Sequence, residues 1–408
     1  MYSRYYGLSI QQYSFIFTIQ LKFLGMSYVI LLIYVFNYLF YKGQYFWMTN
    51  PNYIPEYFSK LKILDLSTVL AGPQVGSFFS ELGSKVIKVE NKRSNGDPTR
   101  QWKLEVEKGR NTISSYYASA NYQKESIFLD LQDVDDYMIL LSLAKEADIL
   151  LSNYQLIVAN KLKVDYASLK AINPNIIYAQ LYAYDAEDTR PGYDLVMQAE
   201  TGFMSMNGHP DGATAKMPVA IIDIMAAHQL KEALLIALIK REREAAGSLV
   251  EVSLYQSAIA SLANQAGNYL MTDHIPKKLG SLHPNIAPYG DSYTTKDNIT
   301  FLLAVGSDSQ FHKLGKALRS DHLLSSTFVS NSNRLANRLE MNGFLQHEFG
   351  QRTFEETDIL LAAQNIPFCR VLSLDSVFKN RLAKNMILDD VIGGDAVKSV
   401  SQIAFTIK

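Results

Sequence analysis

The sequence predicts an α/β protein with a large Rossmann-like domain, whose mainly parallel sheet is flanked by helices, and a smaller α+β domain. Three observations carry this expectation. From Leu61 onward, short apolar runs alternate with amphipathic stretches, the pattern of successive βαβ units. After about Gly280 the texture changes: Asp291–Thr295 and Ile299–Ala304, joined by the short polar turn Lys296–Asn298, read as a hairpin and so as antiparallel sheet. With 408 residues, 48% of them hydrophobic, the chain can bury one large core or two smaller ones.

The elements follow in order. Leu61–Leu66 reads as a strand, Pro73–Leu82 as a helix opened by proline, Lys85–Val89 as the next strand and Ser126–Leu131 as a third. A helix over Val134–Ala147 leads into a strand over Asp148–Leu151, and a helix over Asp165–Asn173 into a strand over Asn175–Leu181. A long helix runs from Ile222 to about Ala245, closed by Gly247, and is followed by the strand Leu249–Val252 and another helix. Asp291–Thr295 and Ile299–Ala304 form a hairpin, helices lie near Asp308–Leu318 and Phe354–Gln364, and strands cover Phe368–Val371 and Val397–Ile407. The large domain is therefore expected over 61–255, completed by 397–408, and the small one over 284–375, with 256–283 and 376–396 as linkers. Ligands of such open sheets sit beyond the carboxyl ends of the strands.

Charge and cysteine content narrow the function. Lys and Arg total 39 against 40 Asp and Glu, with no long basic run, which excludes a surface built to bind nucleic acid. Cys369 is the single cysteine, so neither an intrachain disulfide nor a cysteine metal cluster is available, which predicts a reducing, cytoplasmic location. The seven histidines show no metal-ligand spacing, so no metal is expected. Residues 1–47 differ from the rest: they hold no Asp or Glu, are rich in Tyr and Phe, and include an apolar run from Phe23 to Tyr41. That run is near bilayer-spanning length, and two readings stand: a membrane anchor, or sequence upstream of a translation start at Met48. A membrane partner is expected only in the first case.

Three places could carry chemistry. The loop Val69–Gly76 joins a strand to a helix through small residues that let a ligand approach the backbone, but it has no dinucleotide fingerprint and no P-loop lysine. The polar stretch Lys88, Glu90, Lys92, Arg93, Gly96, Asp97 and Arg100 is either a solvated loop or a place where basic side chains meet phosphates. Asp223 stands alone in the apolar stretch Pro218–Met225, where a carboxylate must cap a helix, be paired or be catalytic. As a cap it would be held ionised by the helix N-terminus, and an ionised, partly desolvated carboxylate is also a nucleophile.

Taken together, these segments resemble the family III CoA-transferases. The resemblance rests on Leu64–Pro73, on Leu82–Gly83 through Val86–Glu90 to Gly96–Arg100, and on Leu129–Leu131, Ala147–Leu150 and Ile172–Tyr178. It continues through Arg190–Asp194, Val219–Asp223 and His283–Tyr289, in the family's order to the C-terminus. It implies that Asp223 attacks an acyl-CoA thioester, that an aspartyl-CoA thioester forms next, and that an incoming carboxylate collects the CoA. Coenzyme A would lie along Val69, Leu70 and Ala71, with Asn91, Lys92, Leu129, Asn153, Tyr154 and Lys161 as further contacts. Coenzyme A enters as substrate, and no permanently bound cofactor is implied. Tyr193 and Asp194 would line the substrate pocket, with Tyr193 packing beside the acyl group or hydrogen-bonding Asp223, and Asp194 pointing elsewhere. Family members form homodimers whose chains thread through each other, and the two linkers would make that crossing.

The chain departs from the family's pattern at Gln155–Ile157, at Gln132, and at Lys161, which keeps a charge but loses arginine's bidentate fork. No glycine-rich lid lies between Leu254 and Pro288. Two other functions compete. The α-methylacyl-CoA racemases place a histidine thirty residues before the same aspartate; here that position is Tyr193, whose phenol is a weak acid and a poor proton shuttle at neutral pH. A catalytically silent CoA-binding protein is the other.

Overall fold

The computed structural model describes residues 53–109 and 111–407, so the expectations for residues 1–47 lie outside the described residues. These residues fall into two compact units. In the smaller, made of 53–61, 82–84 and 405–407, helix α1 (Tyr53–Ser59) receives a hydrogen bond from Ser84 Oγ on the Phe58 carbonyl at 2.8 Å.

The larger unit, 62–81 and 85–404, is built on six strands: β1 (Lys62–Asp65), β2 (Lys85–Asn91), β3 (Glu125–Leu129), β4 (Ile149–Ser152), β5 (Ile177–Tyr182) and β6 (Ser248–Ser253). All neighbours pair in parallel, in the order β3-β2-β1-β4-β5-β6. Both faces are covered by helices, which is why β4 and most of β5 are buried at successive positions rather than in alternation. On one face α2 (Ala71–Glu81) packs against the long α9 (Ile221–Glu244), which also lies on β5 and β6. On the other, α4 (Val134–Glu146), α5 (Leu156–Leu162) and α6 (Tyr166–Lys170) enclose a core that includes Leu64, Val89, Leu140, Leu150 and Tyr178. The direction of winding reverses between β1 and β4, so the loops leaving those two strands flank the crevice where such sheets bind ligands. Between these helices in sequence lie α3 (Ser115–Asn121), α7 (Asp194–Glu200) and α8 (Phe203–Met206).

Two glycines have jobs the sequence pattern did not assign. A Cβ on Gly72 would meet Ser67 Oγ at 2.3 Å, so glycine is needed where α2 crosses the loop after β1. Gly247 does not close α9: Ala245, at φ 52°, is the left-handed cap, and Gly247 instead lets the chain pass the Ile176 carbonyl, 2.1 Å from where a Cβ would stand.

A second core is drawn entirely from residues 287–366, around Tyr293, Phe301, Phe311 and Phe349. It holds the antiparallel sheet β7 (Tyr289–Thr294), β8 (Thr300–Ala304) and β9 (Phe368–Arg370), with the helices Asp308–Ala317, Arg338–Gly350 and Phe354–Ala362. The stretches expected as linkers are partly structured. Residues 256–283 contain most of α10 (Leu254–Ala260) and all of α11 (Ala263–Thr272), while 376–396 contains β10 (Ile387–Ile392). β10 turns through Gly393 and Gly394, at φ 61° and 90°, into β11 (Asp395–Val400), so the expected strand over 397–407 starts earlier and ends at Val400. Two positive φ values at a two-residue turn define the tight hairpin that glycine pairs favour.

Candidate active site

Asp223 occupies the first turn of α9, three residues in from the Ala220 cap position. Alanine has no side-chain acceptor, and the cap comes instead from another helix: Asp194 Oδ1 accepts the Ile222 N–H at 2.8 Å. Gln198 Nε2 donates to Asp194 Oδ2 at 2.6 Å, and Gln198 Oε1 accepts the Met217 N–H at 2.8 Å, so α7 fixes the entry of α9. Asp194 therefore does not point elsewhere; it is bonded to the residue preceding Asp223. As first residue of α7, it projects back from that helix onto the N-terminus of α9, which packing brings alongside.

Released from capping, the Asp223 carboxyl makes no hydrogen bond or ion pair among the described residues, although the side chain is buried. Burial, reinforced by the charge of Asp194, pushes it up to about 7. The expectation that capping holds it ionised is thus corrected: Asp223 does not cap α9, and burial favours its protonated form. Tyr116, on α3, lies within the field of Asp223, Asp194 and Asp97; its burial and these charges push its phenol up to about 12. Its ring meets Trp102 edge-on at 5.1 Å. Neither aromatic was singled out from the sequence, although Ser114, which caps α3, precedes a Tyr-Tyr pair there. Tyr193 is 58% exposed and makes no hydrogen bond to Asp223.

At the crevice, Asn153 and Thr68 bond reciprocally: Asn153 Oδ1 accepts the Thr68 N–H and Asn153 Nδ2 donates to the Thr68 carbonyl, each at 3.0 Å. Around them opens a cleft of about 470 Å³ lined by Val69, Asn153, Tyr154, Gln155, Arg190 and Tyr193, among others. Tyr154 also lines a smaller hollow of about 50 Å³ with Asn91 and Leu129. Val69, Asn91, Leu129, Asn153 and Tyr154 are thus gathered around two hollows sharing one tyrosine. Leu70 and Ala71 are buried at the start of α2 and line neither, and neither do Lys92 and Lys161. Lys92 instead faces Asp136 at 3.4 Å. Gln155, which departs from the family's pattern, donates to the Thr189 carbonyl at 3.0 Å and so ties the two walls of the cleft together.

Of the polar stretch, Lys88, Glu90 and Asp97 are buried and Arg100 is half-buried, whereas Lys92 and Arg93 are exposed. Lys88 and Asp97 pair at 3.1 Å with neither side chain exposed, and Arg100 grips Glu90 through two hydrogen bonds of 2.7 and 2.6 Å. Burial opposes ionisation of Glu90, but Arg100, the Asp97 N–H and the Tyr117 hydroxyl outweigh it and hold the carboxyl at about 2. Among the described residues, no group of three or more His, Cys, Asp or Glu is placed to hold a metal ion. No described helix is long and apolar enough to cross a membrane.

With this geometry in place, comparison with known proteins is direct. The model of CoA-transferase family III matches residues 58–406. The succinate–glutarate CoA-transferase of Agrobacterium fabrum is 33% identical over 80% of this chain and 83% of its own length. The acetyl-CoA:oxalate CoA-transferase of Acetobacter aceti is 30% identical over 71% and 74%. A crystal structure of a CAIB/BAIF family protein from Brucella suis superposes with a TM-score of 0.73 at 32% identity, covering 86% of this chain and 92% of that one. The chain belongs to CoA-transferase family III: it is an enzyme that passes coenzyme A from an acyl-CoA to a carboxylic acid, with the CoA thioester as substrate.

Proposed function

We propose that the chain transfers CoA between dicarboxylic acids through covalent intermediates on Asp223. The observation that carries this reading is the buried Asp223 carboxyl, which no described side chain engages and which the α9 N-terminus does not need as a cap. An Asp223 oxygen attacks the thioester carbonyl; a C–O bond forms, the C–S bond breaks, and CoA leaves as thiolate from a mixed anhydride. The thiolate then attacks the aspartyl carbonyl, releasing the donor acid and leaving an aspartyl-CoA thioester. The acceptor carboxylate attacks that carbonyl, breaking the C–S bond and expelling the thiolate from a second mixed anhydride; the thiolate then attacks the acceptor's acyl carbonyl, forming the new CoA thioester and freeing the Asp223 carboxylate. Desolvation helps the first attack, because converting the buried Asp223 carboxylate into an uncharged anhydride relieves the cost that raises its pKa.

The dicarboxylate class is supported by relatives named for succinate–glutarate and oxalate transfer. The CoA moiety is assigned to the two hollows around Tyr154, and the working unit to an interlocked homodimer. The test is a mass-spectrometric panel of acyl-CoA donors against mono- and dicarboxylates. Dicarboxylates should be preferred by roughly tenfold or more in kcat/KM; equal use of monocarboxylates sinks that part. Asp223→Asn should lower turnover by roughly 10³-fold or more, and unchanged turnover removes Asp223 from the chemistry.

A further inference from the structure

In the loop that leaves β1, buried or half-buried side chains hold most of the backbone polar groups of Ser67, Thr68 and Val69. The Ser67 N–H donates to Asp65 Oδ1 at 3.0 Å, and the Ser67 carbonyl accepts from Lys88 Nζ at 2.8 Å. Asn153 takes both the N–H and the carbonyl of Thr68. The Val69 N–H donates to Asp97 Oδ2 at 3.2 Å, the oxygen that pairs with Lys88. Thr99 holds the other Asp97 oxygen through its N–H and hydroxyl at 3.0 and 2.7 Å. Val69 itself lies at φ 74°, the left-handed region that a β-branched residue avoids and glycine enters freely. Such a conformation persists only where the surroundings over-determine it.

A buried ion pair contributes little net stability over apolar residues of the same volume, so stability alone does not account for Lys88 and Asp97. Their shared feature is the loop: Lys88 holds its start and Asp97 its end. We propose that Asp97, itself held by Lys88, is a positioning residue for acyl-CoA binding, fixing Val69 in its left-handed conformation so that the loop meets the CoA moiety already ordered. Pre-ordering removes from binding the cost of fixing the loop. The proposal rests on the reading that CoA lies against Val69 and Asn153.

The test is a kinetic cycle on the full chain with succinyl-CoA as donor. Asp97→Asn should raise KM for succinyl-CoA by roughly tenfold while kcat falls by less than about twofold; in a Val69→Gly background the same change should move KM by less than about threefold, because glycine needs no clamp. Since Asp97→Asn leaves the Lys88 ammonium buried without its carboxylate, the double variant Lys88→Met/Asp97→Leu is measured alongside and should show a similar KM rise. Equal KM effects in both backgrounds, or a loss of kcat that follows the thermal midpoint while KM stays put, overturn the proposal. Hydrogen exchange of the wild-type protein with and without CoA separates the underlying reading. Slowed exchange at 67–70 on adding CoA supports it; bound CoA that leaves those amides unchanged overturns both. Slowed exchange combined with equal KM effects overturns the positioning role alone.

Discussion

Asp223 concentrates the physical argument at the scale of a single residue. Its pKa is raised, so the sign of its linkage runs opposite to that of a paired carboxylate: its contribution to stability is full below the unfolded value near 4 and is lost as pH rises through about 7. Asp223→Asn, which carries no charge at any pH, should therefore raise the thermal midpoint at pH 8, with a gain of up to about 4 kcal/mol, and change it little at pH 4. Thermal melts at both values check this. For the same reason the wild-type rate should fall on the acid side of about pH 7, where the nucleophile is protonated. Tyr193 leads to a separate expectation. No imidazole stands at that position, so acyl-CoA incubated in deuterated water should show no α-proton exchange above the uncatalysed rate; rapid exchange lost in Tyr193→Phe would favour racemase chemistry instead.

Among the elements, the segment between β2 and α3 is where stability and site geometry meet. Glu90 accepts from Arg100, Tyr117 and the Asp97 N–H while buried, so Glu90→Gln should cost about 3 kcal/mol by leaving the Arg100 guanidinium short of its charge partner. Urea denaturation measures that loss directly. This segment also marks the limit of what the sequence reveals. The six strands were legible because a sheet buried on both faces requires runs such as Ile149–Leu151, and α9 because its apolar residues recur at helical spacing. The direction in which Lys88 and Arg100 point was not legible: a basic residue reads the same in sequence whether it meets a phosphate or a carboxylate distant along the chain. The Asp194 cap was hidden for the same reason, since its target, Ile222, is set by packing. The β10–β11 hairpin did leave a signal, the Gly393–Gly394 pair, but Asp389 and Asp390 interrupt the apolar alternation before it.

For the whole molecule, the topology explains why these residues serve one chemistry. A strand order that reverses between β1 and β4 brings Val69 and Asn153 to one crevice, while β5 leads through Arg190 and Tyr193 to α7, and α7 sets the start of α9. The proposed interlocked dimer belongs to this scale. Light scattering should give about twice the mass of one chain at micromolar concentration, and dissociation should require unfolding, because linked chains cannot separate intact; a monomer in native buffer removes that proposal. The central claim remains the covalent role of Asp223, and its most direct test is trapping. Wild-type protein incubated with succinyl-CoA and then hydroxylamine should carry a hydroxamate on the peptide containing Asp223, absent without acyl-CoA. A fully active enzyme with that peptide unmodified would contradict the account.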